Sequence, residues 1–221
     1  MTSSFITEAL AVMGHPHLDF WFDFGSTYSY PASQRIEPLA RAAGVTVRYR
    51  PFMLGAIFKR QGWDTSPFNI YPAKGRYMWR DLERVCTGLG LPLVPPEPFP
   101  QNSLLAARVA TAAADQPWVG NYCNAIFREE FAARRRIDDP AVVQSVIERF
   151  SSDSRVFLER AETPEVKAQL RQETELADRI GIFGSPTFVA RDGEIFWGND
   201  RLETALDWAG AVSTKKATSE D

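Results

Sequence analysis

Asp19-Phe-Trp-Phe-Asp-Phe-Gly-Ser26-Thr-Tyr-Ser29-Tyr30 is the stretch that decides how this chain folds. From Phe20 to Phe24 every residue but Asp23 is aromatic, which suits a strand covered on both faces. Gly25 then permits a turn, and Ser26 to Ser29 read as the entrance to a helix. The first amides of a helix lack partners inside it and carry the positive end of its dipole. A hydroxyl placed there either caps the helix or joins those amides in holding an anion.

Working outward, Ser29 to Ala43 reads as a helix, with Ile36, Leu39, Ala40 and Ala43 on one face and Pro31 tolerated in the first turn. Gly44 suits the residue past its C-terminus. Val45-Thr-Val-Arg-Tyr-Arg50 alternates and is rich in β-branched residues, so it predicts a second strand. Together these form a β-α-β unit, parallel with a right-handed crossover. Residues 53 to 180 then read as helices and loops. Pro92, Pro95, Pro96, Pro98 and Pro100 mark one long connection, and Asn102 or Ser103 caps an alanine-rich helix. Trp118, Tyr122, Ile126, Phe127 and Phe131 follow at helical spacing. Asp139-Pro140 and Thr163-Pro164 are each a cap followed by a first-turn proline, and the second of these helices ends near Gly181. Thr187 to Ala190 and Glu194 to Trp197 predict two strands joined at Asp192-Gly193. Asp200 caps a last helix that turns Leu202, Ala205, Leu206 and Trp208 inward.

The order β-α-β, helices, β-β-α resembles an α/β thioredoxin-like fold interrupted by a large all-helical insertion. The expected division is a flexible leader at 1–18, a thioredoxin-like domain at 19–52 and 181–210, a helical insertion domain at 53–180 and a disordered tail at 211–221. In that fold a Cys-x-x-Cys pair occupies the turn before the first helix. Here the pair is Ser26-x-x-Ser29. Two serines cannot shuttle a disulfide, but a serine hydroxyl at a helix N-terminus can hold a thiolate brought by another molecule, and glutathione is the obvious carrier. Gly184-Ser185-Pro186-Thr187-Phe188 leads into a strand as the cis-proline segment of the fold does. The Ser185 backbone would lie opposite the serine turn and pair with an extended ligand. The plain alternative for Pro186 is a proline at a strand start.

Bulk properties exclude several classes. The chain has 221 residues, 44% hydrophobic, and a net charge of −3, so a large core is expected and no basic stripe favours nucleic acid. No apolar run approaches the ~20 residues that span a bilayer. The first eighteen residues contain no Lys or Arg, hence no positive leader of a secretory signal, and a cytoplasmic location is expected. Cys86 and Cys123 are the two cysteines and read as reduced, buried thiols. His15 and His17 fall in the leader, and no cluster has metal-ligand spacing.

Two further stretches carry possible chemistry. Trp197-Gly198-Asn199-Asp200-Arg201 either caps the last helix or holds the γ-glutamyl end of glutathione, its carboxylate on the ligand's ammonium and free amides on the ligand's carboxylate. Phe58-Lys59-Arg60 and Asn69-Ile-Tyr-Pro-Ala-Lys74-Gly-Arg76-Tyr77 concentrate cations, either as a solvated face or as a carboxylate-binding rim.

Phe22-Asp-Phe-Gly-Ser-Thr-Tyr-Ser-Tyr30, Pro72-Ala-Lys-Gly-Arg-Tyr77, Phe183-Gly-Ser-Pro-Thr187 and Trp197-Gly-Asn-Asp-Arg-Leu202, in this order, resemble the 2-hydroxychromene-2-carboxylate isomerases. These belong with the kappa-class glutathione transferases, a branch related to the disulfide oxidant DsbA. The resemblance spans roughly residues 18 to 209. It implies that Ser26 lies beside the glutathione sulfur, and that Ser185, Pro186, Gly198, Asn199 and Asp200 bind glutathione. More loosely, it implies that Phe58, Lys59 and Asn69 line the cleft, with Asn69 touching glutathione and Lys59 or a neighbour anchoring the carboxylate of a small aromatic substrate. It implies a homodimer in aromatic-compound degradation that interconverts 2-hydroxychromene-2-carboxylate and trans-o-hydroxybenzylidenepyruvate. A kappa-like transferase and a non-redox thioredoxin-like binding protein stay as alternatives. Thr27 departs from the family's usual proline after the serine, Ser185 departs from its usual aliphatic residue before the cis-proline, and the loop from Gly62 to Ile70 aligns poorly.

Overall fold

The computed structural model describes residues 15–217, with side chains described to residue 212. The first strand, β1 (His17–Phe22), is followed by α1 (Ser29–Ala42) and β2 (Thr46–Pro51). Then come α2 (Leu54–Arg60), α3 (Pro67–Ile70), α4 (Pro72–Gly88), α5 (Leu104–Ala112), α6 (Val119–Phe131), α7 (Pro140–Ile147), α8 (Ser154–Ala161) and α9 (Pro164–Arg179). The chain returns to β3 (Thr187–Ala190) and β4 (Ile195–Trp197), makes a 3-10 turn at Asn199–Arg201, and ends in α10 (Leu202–Ala217).

The sheet runs β2-β1-β3-β4, so β1 and β3 are its inner strands. β1 pairs with β2 in parallel and with β3 antiparallel, Phe20 lying opposite Tyr49 on one side and Phe188 on the other. This is the expected β-α-β and β-β-α, joined through one sheet. Alternation along β1 sends Leu18, Phe20 and Phe22 into the larger core, against α1, α6 and α10. Trp21 enters a smaller cluster with Phe52, Ile57, Ala177, Ile182 and Val189 on the other face. Phe20 stacks on Phe188 at 5.5 Å between centroids, and Phe24 meets Phe127 of α6 at 4.9 Å. Each such ring, fully buried, contributes about 1.5–3 kcal/mol.

Several expectations need correction. β1 begins at His17, inside the expected leader, because Thr46 donates its amide to the Pro16 carbonyl and the parallel ladder starts there. Residues 1–14 of the leader lie outside the described residues. The expected disordered tail from 211 is helical to Ala217, since Ala-Val-Ser-Thr-Lys-Lys-Ala holds no glycine or proline to stop α10; residues 218–221 lie outside the described residues. Trp208 is exposed rather than inward. It lies beside Phe196 and donates its indole N–H to Asp192 at 3.0 Å. Asp200 lies within the 3-10 turn, and Gly198 holds that turn's cap position with φ 114°.

Candidate active site

The site starts where β1 stops. Asp23 Oδ1 accepts the Gly25 amide at 2.9 Å and the Ser103 hydroxyl at 2.6 Å, and its Oδ2 accepts the Leu54 amide at 2.9 Å. One buried carboxylate thus joins the turn, the start of α2 and the residue before α5. Burial pushes the Asp23 carboxyl above the ordinary carboxylate range, while these three donors pull it the other way. Ser103 therefore serves Asp23, and the side chain of Asn102 accepts the Leu104 amide at the start of α5.

Ser26 is not the cap of α1. Tyr28 holds that position, and the Ser26 hydroxyl donates to the Ser185 carbonyl at 2.8 Å. Ser29, fully buried, lies 2.7 Å from Ser185, hydroxyl to hydroxyl, and the Asp23 amide donates to the Ser185 hydroxyl at 2.9 Å. The Ser185–Pro186 peptide is cis. Both serines of the redox position therefore face the proline segment, as the fold predicts. The Ser185 side chain and Asp23 are contributions that the sequence reading did not assign. Asp23 was visible as the break in an aromatic run, whereas the Ser185 hydroxyl gave no local signal.

The contact continues. Pro186 accepts the Gly198 amide on its carbonyl at 3.0 Å, which ties the proline segment to the 3-10 turn. Gly198 lacks a Cβ that would sit 2.6 Å from Asp200 Oδ1, so its positive φ and the fold-back of Asp200 both call for glycine. Arg35 of α1 donates to the Asn199 carbonyl and to its Oδ1, each at 2.9 Å, and pairs with Glu203. Asn199 is thus buried with its oxygens engaged, while the Asp200 side chain is 73% exposed. Ser26, Ser185, Pro186, Gly198, Asn199 and Asp200 form one connected run, and Arg35, which no motif announced, fixes its far end. A groove of about 400 Å³ beside it is lined by Arg84 of α4 together with Arg35, Asn199, Asp200 and Glu203.

A second cavity, of about 340 Å³, is lined by Tyr28, Phe68, Ala73, Lys74, Tyr77 and Met78. It is tied to the serine turn by Thr27, whose hydroxyl donates to Met78 Sδ at 3.2 Å. Tyr28 donates to Asp81 at 2.8 Å, and burial together with that carboxylate pushes its phenol well above the ordinary value. Gly75 allows the wall to form, since a Cβ there would lie 2.3 Å from the Phe68 carbonyl oxygen. Lys74 supplies the cation, 4.8 Å from the Tyr71 ring centroid. Asn69 is exposed on α3 next to Phe68, and its amide donates to Thr65 and to the Phe99 carbonyl. Phe58 packs on Trp63 at 5.5 Å and Lys59 is exposed on α2, so neither belongs to the lining of this cavity.

Cys86 and Cys123 are buried and unpaired. Burial pushes the Cys86 thiol up to about 11 and the Cys123 thiol well above its ordinary value. Among the described residues no cluster of His, Cys, Asp and Glu could hold a metal, and no helix is long and apolar enough to cross a membrane.

Comparison with known proteins follows the same geometry. The family of DSBA-like thioredoxin domains matches residues 17–208. The 2-hydroxychromene-2-carboxylate isomerase of Pseudomonas putida is 30% identical over 186 residues, 84% of this chain and 90% of that protein. Glutathione S-transferase kappa 1 of Homo sapiens is 28% identical over 199 residues, 84% of this chain and 87% of the human protein. A solved 2-hydroxychromene-2-carboxylate isomerase superposes with a TM-score of 0.78 at 28% identity, covering 91% of this chain and 98% of its own. With its serine turn set against a proline segment and its helices inserted between β2 and β3, the chain belongs to the DsbA-like thioredoxin family, in the branch of the 2-hydroxychromene-2-carboxylate isomerases and the kappa glutathione transferases.

Proposed function

We propose that this chain is a glutathione-dependent isomerase that interconverts 2-hydroxychromene-2-carboxylate and trans-o-hydroxybenzylidenepyruvate. The observation that carries the reading is the Ser26 hydroxyl, set at a helix entrance against the Ser185 carbonyl at 2.8 Å, in a turn without a thiol. The relatives named as this isomerase support the substrate pair, and the kappa transferase relatives support glutathione.

The residues present fit glutathione. The exposed Asp200 carboxylate suits an α-ammonium, and Arg84 in the lining of the same groove suits an α-carboxylate. The Ser185 carbonyl suits a ligand amide, and the Ser26 hydroxyl it then releases suits a sulfur anion. Asn69 and Pro186 complete the proposed set around the ligand. Bound glutathione would supply a thiolate that adds reversibly to a conjugated double bond, which permits rotation about the resulting single bond. Ser26 and the first amides of α1 hold the negative charge of that thiolate. Tyr28, Phe68, Tyr77 and Met78 take the aromatic ring and exclude water from one side of it. Lys74 takes the substrate carboxylate, the role expected of Lys59 or a neighbour. A cytoplasmic homodimer acting in aromatic-compound degradation completes the proposal.

The kappa transferase relative favours a second reading, in which glutathione is consumed. Stoichiometry separates the two. In the isomerase, turnover saturates with glutathione and all glutathione is recovered. Stoichiometric loss of glutathione into a conjugate establishes the transferase instead, and absence of saturable glutathione binding removes both. Ser26→Ala is expected to raise the pKa of the bound thiol, ordinarily ~8.5, by about 1–2 units, read from thiolate absorbance, and to cut turnover at neutral pH roughly ten- to a hundredfold.

A further inference from the structure

Two consecutive residues of the serine turn reach α4. The buried Thr27 hydroxyl donates to Met78 Sδ at 3.2 Å, and the Tyr28 hydroxyl donates to Asp81 Oδ2 at 2.8 Å. Met78 and Asp81 are three residues apart, so both bonds land on one face of the helix. Lys74, four residues before Met78, shares that face. The face therefore carries a cation, then the apolar wall made by Tyr77 and Met78, then a carboxylate. Lys74 and Asp81 stand about 10 Å apart along the helix axis.

Asp81 is half-buried and has no ion-pair partner among the described residues. A negative charge beside a cavity that has Lys74 in its wall disfavours an anionic ligand, so charge is not what Asp81 contributes there. It contributes a fixed acceptor. Tyr28 lines the cavity, and at the N-cap position of α1 its side chain makes no capping bond. The Asp81 carboxylate is what its hydroxyl holds. A phenol engaged in this way offers the cavity a ring face instead of a donor. Its side chain is also ordered before any ligand arrives, which lowers the cost of binding.

We infer that Asp81 is a positioning residue of this cavity: by holding the Tyr28 hydroxyl it presets the Tyr28 ring as a wall for a flat aromatic carboxylate, whose charge lies at the Lys74 end. That such a ligand is the substrate of a glutathione-dependent isomerase rests on the reading above. The hold of Asp81 on Tyr28 does not. The probe is therefore 2-naphthoate, one flat ring system with one carboxylate, bound to the full chain without glutathione.

Asp81→Ala should weaken 2-naphthoate roughly three- to tenfold, the cost of ordering one side chain on binding. Charge alone gives the opposite sign, since removing a carboxylate near the cavity tightens an anion. Asp81→Asn keeps an acceptor for the phenol and should recover the affinity that Asp81→Ala loses. Tyr28→Phe removes the hydroxyl, so it should weaken binding as Asp81→Ala does, and the double variant should be no weaker than either single one. Four results overturn the inference: an Asp81→Ala that binds as tightly as the wild type or tighter, no recovery in Asp81→Asn, a double loss equal to the product of the single losses, or no saturable binding of 2-naphthoate to the wild type. If Asp81→Ala fails to fold, Tyr28→Phe decides, and unchanged affinity there overturns the inference. Glutathione-dependent turnover and glutathione recovery, assayed separately, judge the isomerase reading: their failure leaves the naphthoate cycle standing, and an additive cycle leaves the turnover standing.

Discussion

The two ends of the candidate site are built differently. At the proline segment, Ser185 is enclosed: its hydroxyl takes the Asp23 amide and meets Ser29, and its carbonyl takes Ser26. At the 3-10 turn, Asp200 stands 73% exposed, with Arg201 3.6 Å away as its ion-pair partner. The first end is fixed by short contacts among half-buried Ser26 and Ser185 and buried Asp23 and Ser29, where losing a partner orphans a donor. The second end keeps its backbone fixed through Gly198 and Arg35 and leaves one charge in water. Rigidity at the serine end and a solvent-exposed, loosely paired charge at the other suit a ligand that is held firmly at one end and recognised electrostatically at its tail. Substitutions at the two ends should therefore separate into stability effects and affinity effects.

The largest effect is expected at Ser185. Ser185→Ala leaves the carbonyl for Ser26 but takes away the partner of the Asp23 amide and of the buried Ser29 hydroxyl. Each orphaned group costs about 1–3 kcal/mol, so a loss of roughly 2–6 kcal/mol follows. For a chain of this size that is a melting temperature lower by about 4–20 °C, measurable by calorimetry. A shift within about 1 °C would mean that the hydroxyl is not part of the frame, and the contrast between the two ends would collapse.

The frame was legible wherever local chemistry decides structure. The aromatic run before Gly25 gave β1 and the turn, and Asp139-Pro140 and Thr163-Pro164 start α7 and α9 with side-chain caps on the Ala141 and Val166 amides. Misreadings occur where a distant element intervenes. Trp208 fits the apolar stripe of α10, yet β4 and Asp192 lie beside it and give its indole an exposed berth. Ser185 was legible as backbone opposite the serine turn, but its hydroxyl finds Asp23 and Ser29 only after the two halves of the sheet meet. In sequence the basic stretch after β2 reads as one unit, either a solvated face or a carboxylate-binding rim. The structure places Lys74 in the cavity wall and leaves Lys59 on α2, because α4 folds back on α3 over Gly75. Spacing along the chain cannot report that fold-back.

A smaller effect, in affinity alone, is expected at Asp200. Water screens an exposed carboxylate, so its bond to the ligand ammonium sits at the low end of charge-assisted contacts. Asp200→Asn should weaken glutathione binding about tenfold, or ~1.4 kcal/mol, with the melting temperature unmoved. Calorimetry against cysteinylglycine, which lacks the γ-glutamyl group, gives the control: this ligand should bind weakly and respond equally to wild type and variant. Equal glutathione affinity for the two proteins would place the tail of the ligand elsewhere, and Asp200 would be a surface residue of the 3-10 turn.

The smallest effect is no effect, and it bears on the serine end. A member of the DsbA-like family is expected to exchange disulfides when its turn carries thiols, and here the turn carries Ser26 and Ser29. Cys86 on α4 and Cys123 on α6 cannot substitute for them. Both are buried, and burial raises both thiols, so the reactive thiolate is scarce at any pH below about 9. The native chain should therefore leave insulin intact in the presence of a reductant, at the rate of the blank. A chromogenic disulfide added at about pH 8 should label neither cysteine until denaturant is present. Cys86→Ala and Cys123→Ala should leave both results unchanged. Insulin reduction above the blank that disappears in either variant would show that a thiol outside the turn reaches the site. The serine pair would then be a secondary feature of a redox protein, and the proposal that a ligand supplies the sulfur would lose its ground.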